Sequence, residues 1–429
     1  MKRRGLLTLL VCSLLIGCNN NGSVESSSFN NIVSTSNTST NISDKSSSNA
    51  NSSTSSSSIN YSNSVSSSII EDNVEYEFNT YFNGSLPVNK NSQDYKGEIA
   101  DPSVVRGDDG KFYVFSTIRK LFVSEDMCNW ELLNEQIIPR PTWADGDVHG
   151  RPDVWAPDCI KIKDKWIYYY SLAAWDMPSA GIGYAVSDNI YGPYEDKGKL
   201  MNEEDVDING LIDPQPYIDT DGSIYMVVGS FHGNYLVELE DDGMSLKNGA
   251  GYQKENKVLI AGIPLDYFDN TYYEGGYIVK KDEYYYFFGS AGSCCEGLNS
   301  SYRVVVGRAN NIAGPYYSSD GRDLASRNFG TTIGDLCLWS PVTDNTTAGP
   351  GHNSILIDDA GDYWIIYHSY CDIDNFLTRH LFMDKLSWND KGFPYVSYTY
   401  ETDEGKAKTV NYKPSYLIEL DGPRFIKGE

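Results

Sequence analysis

The sequence predicts an all-β fold, a five-bladed β-propeller, and three observations carry the prediction. Short aromatic strands recur five times, a turn signal precedes each, and helical periodicity is nearly absent from 429 residues that include 33 tyrosines and 8 tryptophans. The strands begin at Phe112, Trp166, Ile224, Tyr284 and Tyr363, at intervals of 54, 58, 60 and 79 residues. Such periods correspond to one supersecondary unit per repeat. Asp109-Gly110, Lys163-Asp164, Asp221-Gly222, Lys281-Asp282 and Ala360-Gly361 fall just before the aromatic strands, a placement that favours tight hairpins. Each unit therefore consists of a strand, a turn, the aromatic strand and two further strands. Four strands in each of five units close into a propeller, and most of the aromatic side chains are expected in its core. The longer last interval implies an insertion around Ser318 to Pro350, expected as a loop on one face.

The chain begins with features of export. Lys2-Arg3-Arg4 is followed by an apolar stretch from Leu6 to Ile16 and by Gly17-Cys18. That stretch is too short for a comfortable membrane span, and no later run is long enough. Small residues before a cysteine resemble the lipobox of bacterial lipoproteins, which implies a signal over residues 1–17, cleavage before Cys18 and a lipid on its thiol. From Asn19 to Ser68, 33 of 50 residues are Ser or Asn. Such a composition cannot bury enough apolar surface to offset its ordering entropy, so residues 18–74 are expected to be a tether. Residues 75–429 remain as one globular domain.

The formal charge is −25, and loss of Lys2, Arg3 and Arg4 takes it to −28. A strongly acidic surface excludes nucleic acid and anionic polymers as natural partners and suits a neutral ligand. Of the eight cysteines, Cys128, Cys159, Cys294, Cys295, Cys337 and Cys371 lie in the globular part. Their spacing defines no disulfide framework and no zinc site, although the adjacent pair Cys294-Cys295 is unusual. A monomer is expected.

One residue leads each aromatic strand by ten or eleven positions: Asp101, Ala156, Asp213, Glu274 and His352. The innermost strand of each propeller blade lines a central channel, so residues at its start meet at one mouth. Two carboxylates across a sugar-sized cleft meet the needs of glycosidic cleavage: one protonates the leaving oxygen and the other activates water. A third can raise the pKa of the acid by like-charge repulsion. Asp101-Pro102 and Asp213-Pro214 could each be an ordinary turn, but their shared register with Glu274 and His352 favours a site.

Ala100-Asp101-Pro102-Ser103, Val154-Trp155-Ala156-Pro157-Asp158, Ile212-Asp213-Pro214-Gln215 and Gly349-Pro350-Gly351-His352-Asn353 together resemble glycoside hydrolase family 43 in order and spacing, from about 95 to 400. Gly292-Ser293-Cys294-Cys295-Glu296-Gly297 followed by Ser300-Ser301-Tyr302-Arg303 and Gly314-Pro315-Tyr316 is similar to the endo-α-1,5-L-arabinanases of that family. Ser301 stands where threonine is common, and Gly275-Gly276 follows Glu274 where Ala-Pro is more usual. The resemblance implies Asp101 as general base, Glu274 as general acid and Asp213 as the group that tunes and orients Glu274. It implies inversion, with the two carboxyls about 6.5–9.5 Å apart. It also implies that Trp155 stacks on an arabinose ring, that Ser230 and Ser290 contact substrate, and that His352 reaches a channel ion, often calcium, held mostly by water.

The leading expectation is therefore a lipid-anchored cell-surface endo-arabinanase. Its alternatives are an exo-acting α-L-arabinofuranosidase or β-xylosidase on the same fold, working on arabino- or xylo-oligosaccharides, and a glycan-binding lipoprotein without catalysis. The loop from Ser318 to Pro350 is expected to help decide between an open groove and a closed pocket.

Overall fold

The structure, a computed structural model, describes residues 76–78, 98–127, 129–144, 153–173, 181–264, 272–327, 331–340, 347–396 and 423–426. The chain divides into two units, Met1–Ile69 and Ile70–Glu429, and every described residue lies in the second. The expected signal and tether, with Cys18, lie outside the described residues. Among those described, no helix is long and apolar enough to cross a membrane.

A short strand, β1 (Tyr76–Phe78), precedes the blades. Blade one is β2 (Ser103–Arg106), β3 (Phe112–Ser116), β4 (Lys120–Ser124) and β5 (Glu131–Asn134). Blade two is β6 (Asp153–Ile162), β7 (Lys165–Ala173), β8 (Gly181–Ser187) and β9 (Glu195–Asn202). Blade three is β10 (Gln215–Ile218), β11 (Ile224–Val228), β12 (Asn234–Leu239) and β13 (Val258–Ala261). Blade four is β14 (Glu274–Lys281), β15 (Tyr284–Ala291), β16 (Arg303–Ala309) and β17 (Asp335–Leu338). Blade five is β18 (Thr347–Ile357), β19 (Tyr363–Cys371), β20 (Arg379–Trp388) and β21 (Pro394–Val396). Each blade is a four-stranded antiparallel meander, and β22 (Arg424–Ile426) pairs with β1 in a separate two-stranded ribbon. The first strands β2, β6, β10, β14 and β18 touch one another in turn round the ring. The five-bladed expectation is met.

The five turn signals perform as expected, since Gly110, Lys163, Gly222, Asp282 and Gly361 all adopt the left-handed conformation that tight hairpins require. Each aromatic strand is the second of its blade and is buried on both faces. Alternate side chains go to different neighbours. Phe115, Tyr168 and Tyr170 pack between blades one and two, and Tyr169 joins Met226 and Val228 between two and three. Val227 and Phe287 lie between blades three and four, Phe288 and Tyr367 between four and five. Phe112, Trp364 and Ile366 close blade five on blade one. A strand covered on both sides has no polar face, which explains why these segments are continuous apolar runs. Each large side chain removed from water stabilises by about 1.5–3 kcal/mol.

The expected insertion takes a different course. The extra length lies in the connection between β16 and β17, and Ser318 to Pro350 also includes β17 and the start of β18. Tyr317 pairs with Arg308, the Gly262 amide donates to Leu324 O at 2.9 Å, and the Tyr273 hydroxyl donates to Ile333 O at 3.0 Å. Leu324 and Ile333 are buried in the core between blades three and four. Its described part is thus inter-blade packing and not a surface loop over one face; 328–330 and 341–346 lie outside the described residues.

Candidate active site

The first strand of every blade follows or contains a left-handed corner. Asp101 (φ 52°), Ala156 (φ 37°), Asp213 (φ 59°), Gly275 (φ 55°) and His352 (φ 49°) occupy these corners. For residues other than glycine this conformation is uncommon and clusters at functional sites. The next residue but one in each blade, Ser103, Asp158, Gln215, Tyr277 and Ser354, lines the central channel. Blade four therefore carries glycine at the equivalent corner, and Glu274 stands one residue ahead of it.

A second repeat holds these corners. Thr117, Ser171, Ser230, Ser290 and His368 each follow the start of an aromatic strand by five or six residues, and each reaches the next blade. The Ala156 amide donates to Thr117 Oγ1 (2.9 Å), the Asp213 amide to Ser171 Oγ (2.9 Å), and the His352 amide to Ser290 Oγ (2.7 Å). The Asp101 amide donates to His368 Nδ1 (3.0 Å), which closes the ring, and the Ser230 hydroxyl donates to Glu274 Oε1 (3.1 Å). Ser230 and Ser290 are wholly buried. Their hydroxyls face Glu274 and the His352 backbone. Trp155 is partly exposed beside the Ala156 corner, as a stacking role requires.

The three carboxyls occupy opposite environments. Asp101 accepts from the Thr117 hydroxyl and lies 3.3 Å from His352 Nδ1 and 3.7 Å from Arg379 Nη1 through Oδ1. Burial by itself would raise its pKa, but His352 and Arg379 hold it well below the usual carboxylate range. His368 is buried, and burial lowers its pKa to about 4. Its Nδ1 accepts from the Asp101 amide, so its 3.4 Å approach to Asp101 Oδ1 is not a hydrogen bond. The neutral ring carries its proton on Nε2, which has no partner among the described residues.

Glu274 is displaced the other way. Burial and then repulsion from Asp213 raise its pKa to about 8, opposed by the Ser230 hydroxyl. Asp213 accepts from the Gly275 amide at 2.9 Å, and its own pKa is raised, mainly by burial. Gly275 is needed there: a Cβ would lie 2.9 Å from His352 Cγ in a left-handed residue. One carboxyl is thus held ionised and another held protonated near neutral pH, the division of labour that general acid–base chemistry uses.

The channel below the mouth holds Asp158, whose pKa burial raises to about 7, and Asn353, whose amide oxygen and nitrogen are both buried without partners. Among the described residues no three His, Cys, Asp or Glu side chains converge as metal ligands. The orphaned Asn353 oxygen, the Asp158 carboxylate and the His352 imidazole still form an oxygen-rich donor set that suits a hard cation completed by water.

This site and fold define a propeller glycosidase. The chain matches the model of glycosyl hydrolases family 43 over residues 95–394 and belongs to that family. It is 31% identical over 317 residues to the extracellular exo-α-(1→5)-L-arabinofuranosidase of Cellvibrio japonicus, covering 70% of this chain and 86% of the relative. It is 29% identical over 386 residues to the extracellular endo-α-(1→5)-L-arabinanase of Thermotoga petrophila, covering 77% and 79%. Among solved structures it resembles the Cellvibrio cellulosa α-L-arabinanase complexed with arabinohexaose (TM-score 0.59, 28% identity, 71% of this chain and 96% of that one). An exo-1,5-α-L-arabinanase from a bovine ruminal metagenomic library gives TM-score 0.59 and 29% identity over 71% of this chain and all of that one.

Proposed function

We propose that this family member is an exported, inverting endo-arabinanase that cleaves α-1,5-linked L-arabinan. The observation that carries the reading is the opposed state of two carboxyls at one mouth, Asp101 held ionised and Glu274 held protonated. Glu274 gives its proton to the glycosidic oxygen as that bond breaks. Asp101 takes a proton from the water that attacks the anomeric carbon from the other side, and the product inverts. Asp213 keeps Glu274 protonated by repulsion, and its bond from the Gly275 amide fixes the corner that carries Glu274. Trp155 stacks on a sugar ring at the mouth. A cation in the channel would be held by His352 and, through water, by Asp158 and Asn353, and would supply positive charge beneath the pocket. Extracellular relatives support export, and the Gly17-Cys18 motif supports a lipid anchor on Cys18. The 31% identity to an exo-acting relative supports a second reading, release of arabinose units from chain ends.

The test incubates the globular domain with linear arabinan, branched arabinan and xylan and follows reducing ends and product sizes. Early mixed oligosaccharides support endo action, and arabinose or one short product from the start supports the exo reading. Asp101→Ala and Glu274→Ala each abolish turnover and leave the circular dichroism unchanged. Substantial turnover in either folded variant removes the role assigned to that residue.

A further inference from the structure

The loop that joins β15 to β16 carries a disulfide between the neighbouring residues Cys294 and Cys295. It closes a small ring across a single peptide bond, and Cys295 is exposed with a left-handed backbone (φ 69°). The loop around it is held to itself. The Ser293 amide donates to Ser301 Oγ (3.0 Å), the Ser301 and Tyr302 amides donate to Ser293 O (2.9 and 3.1 Å), and the Glu296 amide donates to Ser300 Oγ (2.9 Å). A segment so closed has few alternative positions.

That loop touches the catalytic base by two routes. Arg379 of β20 places Nη1 3.7 Å from Cys295 Sγ and 3.7 Å from Asp101 Oδ1, and its Nε donates to Glu98 Oε1 at 2.5 Å. One guanidinium nitrogen therefore sits between the sulfur and the base. Tyr302, at the other end of the loop, stacks on His368 with ring centroids 6.1 Å apart and planes 13° apart. His368 is the acceptor for the Asp101 amide. Arg379 and His368 act on Asp101, and the loop braces both.

We propose that the Cys294–Cys295 disulfide is a positioning element for the catalytic base, so that turnover responds to its redox state. The inference rests on the reading of Asp101 as that base. A dithiol reductant breaks the S–S bond by exchange: the two cysteines gain two electrons and two protons as thiols, and the dithiol is oxidised to its cyclic disulfide. Opening the ring frees Cys295 and its side of the loop, and the guanidinium loses the wall that keeps it against Asp101. Cys159, Cys337 and Cys371 are buried and lie outside this exchange.

The experiment measures kcat and KM across pH on the full protein before and after dithiothreitol treatment, with alkylation and mass analysis to count opened cysteines. On opening, kcat and kcat/KM fall together about tenfold while KM stays nearly constant. Reoxidation restores both, and Cys295→Ser reproduces the reduced enzyme and ignores the reductant. A merely structural role would raise KM and lower the melting temperature along with kcat, and that pattern overturns the proposal. So does a protein with two newly alkylated cysteines and an unchanged profile, or a native enzyme in which these thiols are already free. If Cys295→Ser does not fold, reduction of the wild-type chain decides by itself. Asp101→Asn separates the two readings: full turnover in that variant removes the base assignment, whereas an inactive variant beside a redox-insensitive wild type removes only this inference.

Discussion

Replacing Asp213 with asparagine should move the alkaline limb of the pH profile. The asparagine oxygen can still accept from the Gly275 amide, now 2.9 Å from Asp213 Oδ2, so the corner stays in place while the charge is lost. Glu274 has a pKa raised to about 8 by burial first and by Asp213 second. Two carboxylates in one pocket at an effective dielectric of about 20 repel by on the order of 2–3 kcal/mol, or about two pKa units. The acid in Asp213→Asn should therefore titrate near about 6, still above an ordinary glutamate because burial remains. Glu274 works only while protonated, so activity is lost as pH rises through that value. At pH 7 the protonated fraction drops from about nine-tenths to about one-tenth, a loss of about tenfold in kcat/KM that acid pH recovers. Initial rates on linear arabinan from pH 4 to 9.5 read the limb directly. A limb that stays near pH 8 would refute the reasoning, and an equal loss at every pH would show that Asp213 only orients.

Glu274→Gln should abolish turnover yet stabilise the fold at high pH. The folded state keeps a proton on Glu274 up to about pH 8 that an unfolded glutamate releases near 4.5, so ionising it costs stability as pH rises between those values. A gain of on the order of 1–3 kcal/mol is expected at pH 8.5 and none at pH 4; equal melting temperatures of variant and wild type at pH 8.5 would count against this. His368→Ala removes the acceptor of the Asp101 amide and should lower kcat by about 10- to 100-fold with little change in KM; an unchanged kcat contradicts the positioning role. Gly275→Ala forces a Cβ to 2.9 Å from His352 Cγ in a left-handed residue. It should cost about 1–3 kcal/mol in denaturant melts and most of the activity, and a variant as stable and active as wild type contradicts the close-packed corner.

The blades were legible because their strands are buried on both faces and their hairpins need left-handed residues, two demands that write directly onto the sequence. Phe112, Trp166, Ile224, Tyr284 and Tyr363 all fall in second strands, and the register that led to Asp101, Asp213 and His352 is the register of the corners. Glu274 matches that register only to within one residue. The true equivalent in blade four is Gly275, and the acid gains its place by standing one residue earlier. Thr117, Ser171 and His368 escaped notice because a hydroxyl or a single imidazole at a strand end is common. Only their shared offset from the aromatic strands, five or six residues, distinguishes them. Ser230 and Ser290 share that offset, but polar type alone does not tell which way a side chain points. Arg379 carries no sequence signal of this kind, since its meaning depends on Glu98 and Asp101 far away in the chain.

The bond from the Asp101 amide to His368 joins the last blade to the first, and the β1–β22 ribbon pairs strands from before the first blade and after the last. The other blades follow one another along the chain, so this joint alone has no continuous backbone across it. A circle can open at the joint its chain does not cross, and here that joint holds the residue proposed to activate water. Loosening of the ring, whether by heat, denaturant or a cut near the ribbon, should register as a misaligned base before any blade unfolds. The rate of sugar cleavage then becomes a sensitive gauge of how tightly the circle is shut.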